Sequence, residues 1–486
     1  MTTKATSGTR VLAAIASYGT RNDHYLSRLV REYHSMAFDV DIVVLSNTSK
    51  RVAPRVEVFV VDLRGKDPWS LPFPHKRIFA NRLNEYDLFI YSEDDTLICE
   101  RNIRAFQQVT EALREDEIAG FLRYEEGPGG KLNYPDVHGH FHWDPGSVRS
   151  RGPYTLAFFT NQHSACYVMS QHQLRRAIQA GGFLVDAHEG RYDLLCTAAT
   201  DPYTQCGFEK LICISHLDDF LIHHLPDRYV GTKFGVDDRE LRRQIQALLR
   251  IGRNGHPPAS LFETESKLKA CAYSKDYYEP VQPEVVSAIP EGIRSVLSIG
   301  CGWGATEGHL AEKGLRVSAV PLDPVIPGGA EAKGVEIING GFAGALGQLA
   351  NRKFDCLLLS NILHLVPNPA EILSSFAALL LDGGTAVAVV PNMARLGATW
   401  KKMRRDAPAV ARETYAKTGV HRVSRRALQG WFRSSGMKIE KIRCLVPERA
   451  QKVRCFLARL LDLWMADQLV VVAKKHSVSS ANRPIC

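Results

Sequence analysis

The sequence predicts an α/β protein of two domains, and three observations carry that prediction. The chain has 486 residues, about three times what one hydrophobic core usually organises. Apolar runs of strand length alternate with segments of helix length twice over, once in each half. Between the halves, residues 231–260 are charged and carry Gly and Pro, as a connector does. At 45% hydrophobic and 23% charged residues the composition is that of a globular protein and excludes a disordered, collagen-like or coiled-coil chain.

The first half opens with a buried strand over 11–17, a loop Tyr18-Gly19-Thr20-Arg21-Asn22-Asp23, a helix over 25–36 and a second strand over 41–46. A third strand spans 56–61. A loop punctuated by Pro68, Pro72 and Pro74 and a helical stretch from His75 then lead to a fourth strand, 87–92, which ends in acid. The second half has an approach segment over 277–289, a strand over 295–299 and the turn Gly300-Cys301-Gly302-Trp303-Gly304, followed by a helix over 306–313. Strands at 316–320, 335–338, 354–359, 385–390 and 469–473 alternate with helices such as 370–380, the pattern of a doubly wound sheet that binds its ligand beyond the carboxyl ends of the strands. Residues 1–235 are thus assigned to a first domain, 236–275 to a linker and 276–486 to a second domain.

Net charge is +9, yet residues 401–486 alone hold 20 Lys and Arg against 6 Asp and Glu. A basic region of this kind favours an anionic lipid surface, a phosphate-bearing acceptor or nucleic acid, unless it is a solvated helix face. Within it, residues 451–469 mix Lys452, Arg454 and Arg459 with Phe456, Leu460, Leu463 and Trp464 at roughly helical spacing. That pattern suits peripheral contact with a membrane, or packing on the neighbouring sheet. The apolar run at 11–16 is too short for a signal-peptide core, and nowhere do eighteen apolar residues run together. Eleven Cys without a C-x-x-C pair fit a reduced compartment, so the expected location is the cytoplasm, with or without contact at the inner face of the membrane.

Ser92-Glu93-Asp94-Asp95-Thr96 places three consecutive carboxylates where a buried strand reaches solvent. Adjacent negative charges repel, and hard divalent cations prefer oxygen ligands, so Mg2+ or Mn2+ is their natural counter-ion. Glu93 and Asp95 share a side in strand geometry. One carboxylate can then meet ribose hydroxyls while another holds the cation against a diphosphate. A charged turn that binds nothing is the competing reading.

Taken with Tyr18-Gly19-Thr20-Arg21, His75-Lys76-Arg77, the strand-like run from His163 to Met169 and Gly181-Gly182-Phe183, this cluster resembles the GT-A-type glycosyltransferases. These are nucleotide-sugar enzymes whose D-x-D signature ends a strand of a mixed sheet. The resemblance spans about residues 10–230. It implies that Tyr18, Gly19, Arg21, Glu93 and Asp94 contact the nucleotide sugar, and that Asp94 and Asp95 hold the metal, with His224 as a late ligand. His223 and His224 beside apolar residues also read as a structural pair. In such enzymes a carboxylate on a helix after the Gly-Gly-Phe turn activates the acceptor. Glu189 and Asp193, four apart, are the candidates, although Gly190-Arg191-Tyr192 between them departs from the usual pair of acids.

In the second half, three glycines directly after a strand let a backbone approach a ligand closely. With Phe354-Asp355-Cys356-Leu357-Leu358-Leu359-Ser360-Asn361, Val366-Pro367-Asn368-Pro369 and Leu381-Asp382-Gly383-Gly384 downstream, residues 277–474 resemble the class I S-adenosylmethionine-dependent methyltransferases. This implies a Rossmann-like sheet with Gly300, Gly302, Gly304, Asp323 and Asn361 at the cofactor. Three acids common in such enzymes are replaced here by Ser298, Pro321 and Gly341. Asp323 stands two residues past Pro321 and faces the same side if the strand continues. His364, after the fourth strand, is the candidate base for methyl transfer and His421 a second one, and both also read as packed histidines.

The expected protein is a bifunctional enzyme. One domain transfers a sugar from a nucleotide-sugar donor to a glycan or glycolipid acceptor, and the other methylates the product with S-adenosylmethionine, the tether raising the local concentration of the intermediate. The alternative is a glycosyltransferase whose second domain is a non-catalytic binding module, motivated by the three missing acids. A nucleic-acid methyltransferase is disfavoured, because Ser360-Asn361-Ile362-Leu363 stands where an N-P-P-Y-type signature would follow the fourth strand, so no nucleic-acid partner is expected.

Overall fold

The computed structural model describes residues 8–135, 141–232, 235–255, 258–393, 414–445 and 466–475. The chain divides into two compact units, Met1–Pro257 and Pro258–Cys486.

The first unit begins β1 (Arg10–Ala16), α1 (Asp23–Ser35), β2 (Asp39–Ser46), β3 (Val56–Val60), α2 (His75–Asn81), β4 (Leu88–Glu93), the two-residue β5 (Thr96–Leu97) and α3 (Glu100–Thr110). Then come β6 (Glu117–Ala119), β7 (Leu122–Gly127), β8 (Lys131–Tyr134), β9 (Trp143–Arg151), β10 (Tyr154–Phe159) and β11 (Cys166–Ser170). It closes with α4 (Gln171–Gln179), α5 (Leu194–Thr204), β12 (Glu209–Cys213), β13 (Leu221–His224), β14 (Val236–Asp237) and α6 (Asp238–Asn254). The main sheet runs β3-β2-β1-β4-β11, parallel through β4, with β11 antiparallel at the edge. Its central strand β1 is buried from Val11 onward, which explains an uninterrupted apolar run where a half-exposed strand would alternate. In α1 the buried residues Leu26, Leu29, Val30 and Tyr33 follow helical spacing and form one stripe. Two smaller sheets, β6-β12-β10-β9 and β14-β8-β7-β13-β5, complete the unit.

The stretch expected as a linker is in part structured. Asp237 caps α6 by accepting from the Glu240 amide, and Gly255 ends it in a left-handed conformation. The buried face of α6, with Leu241, Ile245 and Leu248, and the bond from Tyr134 to Asp238 join it to the first unit.

The second unit contains α7 (Pro283–Val286), β15 (Ser295–Cys301), α8 (Ala305–Glu312), β16 (Arg316–Pro321), α9 (Gly328–Glu331), β17 (Glu336–Ile337), α10 (Gly341–Gln348) and β18 (Phe354–Ser360). These are followed by α11 (Pro369–Ala377), β19 (Leu380–Pro391), α12 (Arg425–Ser434), β20 (Met437–Leu445) and β21 (Gln468–Lys475). Seven strands form one sheet in the order β17-β16-β15-β18-β19-β21-β20. The strands from β17 to β19 are parallel; β21 inserts antiparallel to β19 and β20 antiparallel to β21. The strand β20, absent from the sequence expectation, alternates buried Met437 with exposed Lys438 and is charged along its outer face. Alternate residues of the central strands serve two cores: Leu297, Ile299, Leu357 and Leu359 on one face, Val296, Cys356 and Leu358 on the other. The strand order turns at β15 and β18, which makes the space beyond their carboxyl ends the switch-point crevice of a Rossmann-like sheet.

Among the described residues no helix is long and apolar enough to cross a membrane. The amphipathic stretch expected at 451–469 lies outside the described residues up to 465.

Candidate functional site

In the first unit, β1 and β4 are neighbours that end side by side, with Ala16 paired to Glu93. The Asp94 amide continues that contact by donating to the Ala16 carbonyl at 3.1 Å, and Asp94 Oδ1 accepts from Asn22 Nδ2 at 2.8 Å. The loop after β1 is therefore tied to the acidic cluster. Lys50 reinforces it, its nearly buried ammonium donating to Ser17 Oγ at 3.0 Å and to Asp23 Oδ1 at 2.8 Å.

A second junction brings in His224. Antiparallel pairing of β5 with β13 sets His224 opposite Thr96, and the Leu225 amide donates to the Asp95 carbonyl at 2.9 Å. His224 Nε2 then lies 3.7 Å from Asp95 Oδ2, while its Nδ1 is 2.7 Å from Glu125 Oε1. Glu125 is fully buried, and its other oxygen accepts from the Tyr229 amide at 2.6 Å. A carboxylate on one ring nitrogen fixes the imidazole and turns the other nitrogen to Asp95, as outer partners of metal-binding histidines do.

Burial pushes the Glu93 carboxyl up to about 8, and neighbouring Asp95 adds to the effect while Arg123 opposes it. Burial also raises Asp94, to about 6, against the hydrogen bonds from Asn22 and Ser17. For Asp95 burial acts in the same direction, but the hydrogen bond and charge of His224 outweigh it and hold the carboxyl below its ordinary value. His224 is raised, because Asp95 and Glu125 together overcome the burial that disfavours its charged form. Glu93 Oε1 and Asp95 Oδ1 are buried without a hydrogen-bond partner among the described residues.

Of the three residues expected to hold a metal, Asp95 and His224 face each other, whereas Asp94 turns to Asn22. Among the described residues no group of three or more His, Cys, Asp and Glu is arranged to hold an ion. Tyr18 stands 55% exposed beside Gly19, whose amide donates to Asn47 Oδ1 at 2.7 Å, and Arg21 is exposed. Glu189 and Asp193 do not share a helical face. The helix α5 starts at Leu194, Asp193 caps it by accepting from the Cys196 amide at 2.9 Å, and Glu189 is exposed in the preceding loop. The preference of Asp for an N-cap explains why the helix starts after both acids.

In the second unit a cleft at the switch point is lined by Gly300, Gly302, Trp303, Gly304, Thr306, Glu307 and Ser360, and by the approach segment at Lys275, Asp276, Tyr277 and Glu279. Two of its glycines are required by the backbone. A Cβ on Gly302 would sit 2.3 Å from the Tyr277 carbonyl oxygen, which accepts from the Trp303 amide at 2.7 Å. Gly304 caps α8 at φ +81°, where an L side chain is strained, and a Cβ there would meet Ala330. The surface of the turn at Gly302 is thus covered by the backbone of the approach segment.

The other candidates of this half are placed as follows. β16 stops at Pro321, so the alternation argument does not reach Asp323; its Oδ1 accepts from the Val325 and Ile326 amides at 2.7 and 3.0 Å and closes the turn that follows. Asn361, left-handed at φ +51°, donates from Nδ2 to Glu279 Oε1 at 2.7 Å. His364 is buried with Nε2 2.8 Å from the Tyr273 carbonyl, and burial pulls its pKa down to about 4. His421 donates its amide to the His364 carbonyl, and its Nε2 is 2.9 Å from the Pro367 carbonyl.

Five site residues escaped sequence reasoning. Arg123 and Glu125 carried a signal, a polar pair two apart that strand geometry puts on one side, but what Glu125 meets lies 99 residues away in sequence. Lys275, Glu279 and Glu307 carried none beyond being charges next to a glycine turn.

A family model described as "Methyltransferase domain" matches residues 238–442. It begins with α6 of the first unit and ends within β20 of the second, short of β21. Among solved structures, the chain is similar to an S-adenosylmethionine-dependent methyltransferase from Mesorhizobium loti (21% identity, TM-score 0.28, covering 40% of this chain and 96% of that one). It is also similar to one from Archaeoglobus fulgidus (18%, 0.30, 40% and 90%). A third is N-methyltransferase NodS from Bradyrhizobium japonicum in complex with S-adenosyl-L-homocysteine (13%, 0.28, 40% and 85%). No curated protein matches the chain. The C-terminal part of this protein is a methyltransferase domain of Rossmann-like α/β fold.

Proposed function

We propose that the chain is a bifunctional transferase whose second unit moves a methyl group from S-adenosylmethionine and whose first unit moves a sugar from a nucleotide-sugar donor to a glycan or glycolipid acceptor. The observation that carries the first statement is the glycine turn at the sheet's switch point, within the stretch matched by the methyltransferase-domain family. Trp303 lines the same cleft while its indole packs on Gly329 of α9. S-adenosylmethionine, when bound, supplies a methyl group on a positively charged sulfur. Backbone N–H groups of the turn and Asn361 would hold it, and the covering approach segment would exclude water.

The sugar-transfer reading is carried by the facing pair Asp95 and His224 at the carboxyl end of a central parallel strand. Orphaned buried oxygens on Glu93 and Asp95, with an imidazole nitrogen opposite, fit a hard divalent cation, Mg2+ or Mn2+. Such a cation neutralises a departing diphosphate. Asp95 and His224 would hold it, Asp94 would position the loop of Tyr18, Gly19 and Arg21 at the nucleotide, and Glu189, exposed, is the better placed of the two base candidates because Asp193 is engaged in its cap.

A second reading of the second unit, a binding module without catalysis, is favoured by one observation: Pro321 stands where the ribose-gripping acid of such enzymes is expected, and Asp323 spends an oxygen on its own turn. A thermal-shift panel of UDP-, GDP- and dTDP-sugars with Mn2+, run beside S-adenosylhomocysteine on the full chain, tests both units. Saturable binding of S-adenosylhomocysteine excludes a closed pocket in the second unit, and stabilisation by one nucleotide sugar only with metal supports the first. Contact of the basic C-terminal region with the inner face of a membrane is tested by flotation with anionic liposomes, and no binding at low salt removes it.

A further inference from the structure

Among the charged side chains lining the cleft beside the glycine turn are Lys275, Glu279 and Glu307, which the family resemblance did not anticipate. Glu307, on α8, is only 6% exposed, and its Oε1 accepts from Ser298 Oγ at 2.7 Å. Ser298 is the position on β15 where an acid is common in such enzymes, so a carboxylate reaches the same spot from the helix instead of the strand. Across the cleft, Lys275 is 2% exposed; its Nζ lies 2.6 Å from Glu279 Oε2 and donates to the Ser360 carbonyl at 2.9 Å. Glu279 is held further by Ser360 Oγ at 3.0 Å and by Asn361 Nδ2 at 2.7 Å. Lysine has three N–H donors, and two are used among the described residues.

Charges this deeply buried need partners. The Lys275–Glu279 pair balances itself, whereas Glu307 meets the neutral Ser298 hydroxyl and Cys301 thiol, and Asp276 lines the same cleft, so the lining carries an excess of negative charge. A complementary ligand group has an ammonium for Glu307, a carboxylate for Lys275 and a net positive charge. The amino-acid end of S-adenosylmethionine, an α-ammonium, an α-carboxylate and a sulfonium, has that distribution.

We propose that Glu307 replaces the missing strand acid and, with Lys275, binds the amino-acid end of S-adenosylmethionine in the cleft lined by Gly300, Gly302 and Ser360. The proposal rests on the reading of the second unit as a binder of that cofactor and adds which residues select its zwitterion. The adenosine end, where Pro321 offers no carboxylate, contributes correspondingly less, and affinity depends on the amino-acid end.

The test is calorimetry on the full-length chain with two ligands, S-adenosylhomocysteine and 5′-methylthioadenosine, which lacks the amino-acid end. In Glu307→Gln the affinity for S-adenosylhomocysteine is expected to fall at least tenfold while that for methylthioadenosine stays within twofold. The double variant Ser298→Asp with Glu307→Gln, which returns the acid to the strand, is expected to recover most of the loss, and Lys275→Gln with Glu279→Gln to show the same selective loss. A variant that merely unfolds loses both ligands and is recognised by its melting temperature, in which case the Lys275→Gln, Glu279→Gln pair decides. Equal loss for both ligands in a folded variant, or no loss in either variant, overturns the proposal while leaving cofactor binding intact. Wild-type protein that binds neither ligand overturns the cofactor reading itself and this proposal with it.

Discussion

Asp95 and His224, 129 positions apart in the chain, face each other at 3.7 Å because a two-residue strand pairs with the strand that ends in the histidine. Each shifts the other's protonation toward the charged form. If the pair holds a divalent cation, Mn2+ with a nucleotide sugar at one hundred times its dissociation constant stabilises the first unit by about 2.7 kcal/mol. Asp95→Asn and His224→Ala are expected to abolish that stabilisation, read as the metal-dependent shift of the melting temperature, and an undiminished shift in both variants rules the site out.

Glu125 acts on the same site from behind. Its carboxylate orients the His224 ring, and outer partners of this kind change metal affinity by roughly 10–100-fold. If Asp95 and His224 hold a cation, Glu125→Gln should therefore weaken Mn2+ binding by that factor while Glu126→Gln, its exposed neighbour, leaves it unchanged. Isothermal titration with Mn2+ in the presence of nucleoside diphosphate measures both.

Lys210 gives the first unit a pH dependence. It is fully buried on β12, donates to the Gln162 carbonyl and Ser164 Oγ, and burial pulls its pKa down to about 7. Because the unfolded chain binds a proton that the folded chain releases between pH 7 and the ordinary lysine value of about 10.4, stability rises with pH across that window. The benefit of the neutral amine is complete above the upper limit and is lost as pH falls through about 7. Glu93 and the buried thiols Cys166 and Cys206, all raised by burial, titrate with the opposite sign, so the test is a difference: in denaturant titrations at pH 7, 8, 9 and 10 the stability of the wild type relative to Lys210→Met should rise with pH.

Gly302→Ala would bring a methyl group against the Tyr277 carbonyl, a backbone atom that cannot rotate away. The expected cost is about 1–3 kcal/mol in the second unit, the usual range for overpacking. Differential scanning calorimetry of the full chain should show one transition moved and the other unchanged.

Asp323→Ala separates two roles. If the carboxylate only closes its turn, stability falls by about 1 kcal/mol, as for a lost cap, and affinity for S-adenosylhomocysteine stays within about twofold. A loss of about tenfold, the equivalent of 1.4 kcal/mol, would instead assign it to the ribose.

Much of the scaffold was legible because burial on both faces of a parallel sheet leaves continuous apolar runs, as in β1 and β15. The charged outer strand β20 has no such run and went unseen. The helix α6 was hidden for a related reason: only one stripe of its 17 residues is apolar, and Arg and Gln fill the rest, so composition read as a connector.

By itself, the sequence determined the alternation of strands and helices, the two strand ends that carry acid and glycine, and the departure from common acids at Ser298 and Pro321. Local patterns suffice there, because burial and turn geometry act on neighbouring residues. Only the tertiary structure decided that Asp94 turns to Asn22 while Asp95 meets His224, that Asp193 and Asp323 spend an oxygen on backbone amides, and that Glu307 stands where the strand lacks an acid. A carboxylate bonds whichever donor the packing brings within about 3 Å, and which donor that is depends on strand pairings and turns that the residues flanking it do not encode.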